Sequence, residues 1–334
     1  MTNVGIGAVP MVELWRGERL ESLHQGHAVI CDASGAIVEA WGNPEALIYP
    51  RSSAKMIQAL PLIESGAADG LTDKQIALAC ASHQGAAIHV DAVSKWLADM
   101  DLSEADLRCG TREPHDIEER NRLICTGDSA CQIHNECSGK HTGFLMLNKH
   151  LGGGPDYIDP DHIVQRTFRQ AFEDITGEES PGYGIDGCSA PNYATSITGL
   201  ARAMSAFASA EETNARGKAM VKLRHAMATQ PEMVAGETRA CTELMRAMGG
   251  KVAIKTGAEA VFVAILPEQK LGIALKILDG GIRASEAAMT GLLARAGVLD
   301  PAHPAAQKRL GAPQKNCRGI TFGETCLAPG FAQA

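Results

Sequence analysis

Two short motifs about two hundred residues apart carry side chains that could do hydrolytic chemistry. Ser52-Ser53-Ala54-Lys55 is an S-x-x-K, and Lys255-Thr256-Gly257 is a K-T-G. A serine hydroxyl is a weak nucleophile until a base takes its proton. A lysine in a dry site can lose its own proton and serve as that base. Residues i and i+3 share a helix face, so one helical turn brings Lys55 within reach of Ser52. S-x-x-K arises by chance about once in a chain this long. K-T-G is rarer, and the two in this order point to a serine activated by lysine rather than histidine.

Three further segments hold candidate groups. In Ala81-Ser82-His83-Gln84-Gly85, Ser82 is either a second active hydroxyl or a helix cap, and an isolated His83 adds little. Glu136-Cys137-Ser138-Gly139-Lys140-His141 and Gly184-Ile185-Asp186-Gly187-Cys188-Ser189-Ala190-Pro191 each read as a tight, glycine-containing loop with one cysteine. Two thiolates with nearby Lys, His and Asp could hold a zinc ion. Neither segment has a C-x-x-C, so two unrelated buried cysteines remain the simpler reading. Asp186 could instead be a carboxylate that recognises an amine.

The elements that must position these groups follow from periodicity. His27–Cys31 and Ala36–Ala40 flank a turn with Gly35 and read as a β-hairpin. Lys55 to Gly66 is helical in period, with Pro61 expected to kink or end it. Thr72 or Asp73 caps a helix to Ala81, and a second helix runs from Ala87 to Met100. Arg108 to Cys137 reads as polar and irregular, and Gly152-Gly153-Gly154 as a flexible joint. Helical patterns return at 163–175, 194–209 and 213–229, the last broken at Gln230-Pro231. Strands at 251–255, 261–266 and 272–278 and a helix at 282–296 close the pattern, and the tail beyond Pro301 is expected to wrap the surface. The expected fold is therefore α/β (α+β): an antiparallel sheet built from both ends of the chain, flanked by helices and interrupted by a long helical insert. Residues 1–334 are expected to form a single catalytic unit. In it, 1–50 and 250–300 make the sheet, and 51–249 form a mainly helical part carrying the metal loops.

Composition narrows the classes. The 334 residues are 45% hydrophobic, enough for a large core in one domain or two packed together. The net charge of -8, with no basic cluster and only 4% aromatic residues, argues against nucleic acid as a partner. No apolar run approaches membrane-spanning length, and Met1 to Pro10 lacks the basic start and apolar core of a signal peptide. A cytoplasmic protein without membrane partners is expected, and its ten cysteines then do not form a disulfide framework.

R-S-S-A-K (Arg51 to Lys55), A-S-H (Ala81 to His83), C-S-G-K-H (Cys137 to His141), D-G-C-S-A-P (Asp186 to Pro191) and K-T-G-A-E (Lys255 to Glu259), in that order, resemble the L-asparaginase II family of the rhizobial type. Glu21-Ser22-Leu23-His24-Gln25-Gly26 also looks like that family, and the resemblance reaches to about Asp300. It implies a fold similar to serine β-lactamases and serine glutaminases. It further implies two Ser-Lys tandems, Ser52 with Lys55 and Ser82 with Lys255, with Ser52 as the acylated nucleophile. By the same resemblance Cys137, Lys140 and Cys188 would ligate a zinc ion near the substrate, and Arg51, His83 and Asp186 would help hold that substrate. A homodimer hydrolysing L-asparagine to L-aspartate and ammonia is what the family implies. A serine glutaminase, a β-lactamase-like hydrolase, and a zinc- or thiol-dependent binding or sensor protein stand as alternatives. Gln84, Ala86 and Ala260 depart from the expected pattern near the proposed site, so affinity and selectivity could differ from relatives.

Overall fold

A computed structural model describes residues 4–332. Residues 1–3 and 333–334, counted above in the single catalytic unit, lie outside the described residues. The chain divides into two compact units. One holds the residues up to Ser53, Thr195–Ser209 and those from Glu243 on; the other holds Ala54–Ala194 and Ala210–Thr242.

The first unit is built on an antiparallel sheet. Its N-terminal strands are β1 (Val9–Arg16), β2 (Arg19–Cys31) and β3 (Ile37–Trp41), followed by the short β4 (Leu47–Ile48). The second unit starts with α1 (Lys55–Glu64), α2 (Asp73–Ala79), α3 (Ala87–Ala98), α4 (Ile117–Thr126), α5 (Ser138–Leu151) and α6 (Ile163–Thr176). A small hairpin, β5 (Tyr183–Ile185) and β6 (Pro191–Tyr193), follows. The chain returns to the first unit with β7 (Thr195–Ser196), which pairs with β4 in a separate two-stranded sheet, and α7 (Ile197–Ser209). The helical unit is completed by α8 (Ala215–Thr229) and α9 (Pro231–Ala235), and α10 (Ala240–Ala247) spans the division at Thr242. The sheet resumes with β8 (Ala253–Gly257), β9 (Val261–Leu266) and β10 (Leu271–Ile277), then α11 (Ile282–Arg295), α12 (Pro304–Gln307), β11 (Gln314–Lys315) and β12 (Thr321–Leu327).

The strand order is β11-β12-β1-β2-β10-β9-β8, with β3 also on β2. Every residue of β9 is buried. Alternate strand residues face opposite sides, so both sheet faces are covered; α7 and α11 both pack on this strand. The fold class read from the sequence, an antiparallel sheet drawn from both chain ends with flanking helices, is the one observed.

Three expectations change. Pro61 lies inside α1 instead of ending it. A proline interior to a helix forfeits one ladder hydrogen bond, and α1 is buried from Lys55 to Leu62, which holds it. The polar stretch after Arg108 contains α4, capped by Asp116 on Glu119 N–H and closed by Gly127 in the left-handed region. The tail adds β11 and β12 to the sheet edge, with β12 paired to β1. In the helical unit α1 packs on α5, α6 and α8, and α2 on α5 and α8.

Candidate active site and thiol–lysine cluster

In the sheet unit, Arg51 and Ser52 lie in a 3-10 turn, Arg51–Ala54, that precedes α1. Arg51 takes a positive φ of 53°, a strained conformation for a side chain of its size. Ser52 is half-buried. Ser53 closes the turn, its N–H donating to Pro50 O at 3.2 Å and its hydroxyl to the same oxygen at 2.7 Å. The K-T-G strand passes against this turn: a Cβ on Gly257 would stand 2.5 Å from Pro50 O and 3.0 Å from Ser53 N. Only glycine permits that approach. Lys255 on β8 is fully buried and donates to Thr256 O at 2.8 Å. Arg51, Ser52 and the K-T-G segment thus belong to one neighbourhood of the sheet unit.

In the helical unit the remaining residues gather. The C-S-G-K-H segment is not a loop: Cys137 is the N-cap of α5, and Lys140 and His141 stand in its first turn. Positions i, i+3 and i+4 share a helix face, which aligns Cys137, Lys140 and His141. Cys188 sits at the tip of the β5–β6 hairpin. Asp186 N–H donates to Ala190 O at 3.0 Å and Ser189 N–H to Asp186 O at 2.9 Å, with Ser189 left-handed at φ 69°. Lys55, 1% exposed, donates to Ala81 O and to Cys137 Sγ, the latter at 3.2 Å. Lys140 donates to Cys188 Sγ at 2.9 Å. Two lysines and two sulfurs therefore form one buried cluster.

Its charges are interdependent. The hydrogen bond from the Cys137 thiol holds Cys188 well below the usual thiol range, against burial and with help from the Lys140 charge. The same bond, with burial, pushes Cys137 well up. Burial works to strip Lys140 of its proton, but the neighbouring Cys188 and Cys137 sulfurs outweigh it and raise its pKa. This arrangement favours negative charge on Cys188, with the Lys140 ammonium beside it. Tyr157 fixes the adjacent His141. Its hydroxyl accepts Arg108 N–H at 2.8 Å and lies 2.9 Å from His141 Nδ1. Burial and the Lys140 charge drive the His141 pKa down to about 4.

Among the described residues no three His, Cys, Asp or Glu side chains gather in a way that could hold a metal ion. The cluster supplies two sulfurs and one amine instead. Thiolate sulfur and nitrogen suit zinc, and Cys137, Lys140 and Cys188 fit such an ion provided Lys140 gives up the proton it holds beside Cys188.

The Ser82 loop is bound on several sides: Ser82 N–H donates to Val234 O at 2.8 Å, His83 N–H to Glu136 O at 3.2 Å, and Asp116 N–H to Gln84 O at 3.0 Å. The His83 ring is fully buried, with its Nε2 3.0 Å from Ser138 Oγ and its Nδ1 accepting Gly85 N–H at 3.1 Å. Those contacts give the ring a job in shaping the loop. Asp186 is half-buried, with its carboxylate accepting Gly187 N–H at 2.7 Å.

A model of the L-asparaginase II family matches residues 12–327. The chain belongs to the L-asparaginase II family. It is accordingly a hydrolase acting on a small molecule, consistent with its buried lysines beside serine-bearing turns. A comparison with curated proteins gives no match. Solved structures aligned with it include a putative β-lactamase from Bacteroides dorei (10% identity, 77% of this chain and 85% of that one, TM-score 0.44). Others are a class C β-lactamase (13%, 78% and 89%, TM-score 0.41) and the D-alanine carboxypeptidase AmpC from Burkholderia cenocepacia (13%, 79% and 91%, TM-score 0.40). Among the described residues no helix of this family member is long and apolar enough to cross a membrane.

The motifs flagged Arg51, Ser52, Lys55, Ser82, His83, Cys137, Lys140, Asp186, Cys188 and Lys255. They did not flag His89, which faces His83, or Tyr157, which fixes His141. An apolar helix with a single histidine and a lone tyrosine carry no sequence signal of such roles.

Proposed function

We propose that this chain is an L-asparaginase that hydrolyses L-asparagine to L-aspartate and ammonia through a Ser-Lys acyl-enzyme. The observation that carries the reading is the setting of Lys55. It is buried, and it directs hydrogens to Ala81 O and Cys137 Sγ. A neutral amine has two N–H bonds and one lone pair. With both hydrogens so committed, the lone pair is available to a hydroxyl proton.

Lys55 takes the proton of Ser52, three residues back along the chain, and the Ser52 oxygen attacks the side-chain amide carbon. Backbone N–H groups hold the oxyanion. Ser82, polarised by Lys255, relays that proton from Lys55 to the departing ammonia as the C–N bond breaks. Water then cleaves the ester, returning the Ser52 proton and releasing aspartate. Arg51, His83 and Asp186 help hold the substrate, and His83 also shapes the Ser82 loop. A zinc ion held by Cys137, Lys140 and Cys188 would supply positive charge and order the two segments. The same reading takes the enzyme as a cytoplasmic homodimer forming one catalytic unit.

The test is ammonia release from asparagine and from glutamine by wild-type, Ser52→Ala and Ser82→Ala proteins. Ser52→Ala should lose more than about a thousandfold in kcat with an unchanged circular dichroism spectrum. Near-wild-type turnover by that variant sinks the assignment, and a preference for glutamine makes the enzyme a glutaminase.

A further inference from the structure

Two imidazoles lie face to face beneath the Ser82 loop. The His83 and His89 centroids are 4.6 Å apart and the planes 8° from parallel. Both residues are fully buried. Hydrogen bonds fix both tautomers. Gly85 N–H occupies His83 Nδ1 at 3.1 Å, so the ring hydrogen is on Nε2 and donates to Ser138 Oγ at 3.0 Å; Ser138 sends its own hydrogen to Ile133 O at 2.8 Å. His89 Nε2 meets Glu232 O at 2.9 Å and must donate there, while its Nδ1 is buried without a partner.

The His83 ring is therefore neutral by geometry, since a second hydrogen on it would point at Gly85 N–H. Burial keeps the His89 ring neutral. His83 from the Ser82 loop, Glu232 from α9 and Asp116 at the start of α4 face His89. Burial lowers the His89 pKa against the carbonyls of Glu232 and Ala86 and the charges of Asp116 and Glu232.

The α9 segment links ring and serine. Its Glu232 carbonyl takes the His89 N–H, and its Val234 carbonyl, two residues on, takes the Ser82 N–H. His89 thus touches both supports of Ser82: the ring of the next residue and the strip of backbone that receives the Ser82 amide. We propose that His89 is a positioning residue for Ser82, fixing through its stack on His83 the loop that presents this serine. This rests on the reading of Ser82 as a proton relay. Charging His89 then loosens the loop, and turnover falls on the acid side.

Two variants separate stacking from hydrogen bonding. His89→Gln keeps a donor for Glu232 O but has no ring; His89→Phe keeps a ring that cannot charge. Each is measured for kcat and KM on asparagine between about pH 5 and 8, and for amide hydrogen exchange at Ser82. His89→Gln should lose about tenfold or more in kcat with KM within about threefold, and exchange Ser82 N–H about tenfold faster. His89→Phe should hold kcat within about threefold and lose the acid limb of the wild-type profile. Wild-type kcat and exchange in His89→Gln, or an unchanged acid limb in His89→Phe, overturns the proposal. If the wild-type protein releases no ammonia from either amide, the asparaginase reading falls and the exchange result alone decides. Faster exchange in His89→Gln than in His89→Phe then upholds the role, and equal exchange overturns it.

Discussion

Two glycines on α5, four residues apart, should respond to the same substitution with opposite signs. A Cβ on Gly139 would stand 2.4 Å from Leu78 O and 2.6 Å from Leu78 Cγ. A Cβ on Gly143 would meet Leu62 Cδ2 at 3.3 Å, Ala79 Cβ at 3.4 Å and Trp96 Cη2 at 3.7 Å. Both substitutions gain roughly 0.5–1 kcal/mol from alanine's better helix propensity. At Gly143 that gain survives, because one side-chain methyl has to yield only slightly beside a small cavity lined by Gln58, Leu62, Ala79 and Phe144. At Gly139 the obstacle is backbone of α2, and the helices must part by about 1 Å to restore ordinary contact. Overpacking of that kind costs about 1–3 kcal/mol. Gly139→Ala should therefore lose roughly 1–2 kcal/mol net in urea unfolding, while Gly143→Ala is neutral or more stable by up to about 1 kcal/mol. Gly139 separates Cys137 from Lys140, so the same shift moves the sulfur beside Lys55. A displacement of that order can cost about a hundredfold in kcat. Gly139→Ala with wild-type stability and turnover would refute the argument that α5 is seated by backbone contact with α2.

Two further outcomes follow from local geometry. Lys270, exposed in the β9–β10 turn with its N–H on Pro267 O, has a positive φ of 54°. Lys270→Gly should relieve roughly 1 kcal/mol of left-handed strain, less the extra entropy of the unfolded glycine, and raise the melting temperature by about 1–3 °C; a lower melting temperature contradicts this. The Arg122 guanidinium, donating at 2.8 Å, holds the buried Glu119 carboxyl below the usual carboxylate range against burial, with His134 Nε2 also 3.4 Å away. A depressed folded-state pKa contributes stability above the unfolded value and loses it as pH falls through the folded value. Glu119→Gln should lower stability at neutral pH by about 1 kcal/mol, since Arg122 is half-exposed, and flatten the loss below about pH 4. Parallel unfolding curves against pH for the two proteins would contradict it.

The sheet was legible because its strands are short apolar runs set off by turns with their own chemistry. Asp32 and Gly35 close the β2–β3 turn, where Gly35 has a φ of 79°, and Thr72 with Gln75 forms the capping box that starts α2. Tertiary context hid what periodicity missed. α4 has an exposed, charged sequence whose only buried residues are Glu119 and Leu123, so no apolar stripe announces it. β12 pairs with β1 across some three hundred residues of chain, a register that no local window contains. The N-terminal turn of α5 looks like loop in the sequence because Ser138 and Gly139 have poor helix propensity. Packing on α2 overrides that propensity, and glycine, the residue that weakens the helix locally, is what allows the packing.

The same reasoning explains why the thiol–lysine cluster is only half visible in a linear reading. Spacing alone places Cys137, Lys140 and His141 on one helix face once α5 is known to begin at Ser138. Nothing local says that Lys55, from another helix, should spend a hydrogen on Cys137, or that Lys140 should neutralise Cys188 from a hairpin tip. Each lysine meets a different sulfur, and the two sulfurs share one hydrogen bond. A buried ammonium without a counter-charge would be expensive, so Lys140 requires the Cys188 thiolate, and that thiolate is steadied by the Cys137 thiol, which also receives Lys55. Substituting any one of the four leaves a buried charge or donor uncompensated in the others. The residues proposed for the metal and the lysine proposed as base are thus constrained as one set, and that constraint, more than either motif, ties the S-x-x-K to the C-S-G-K-H segment.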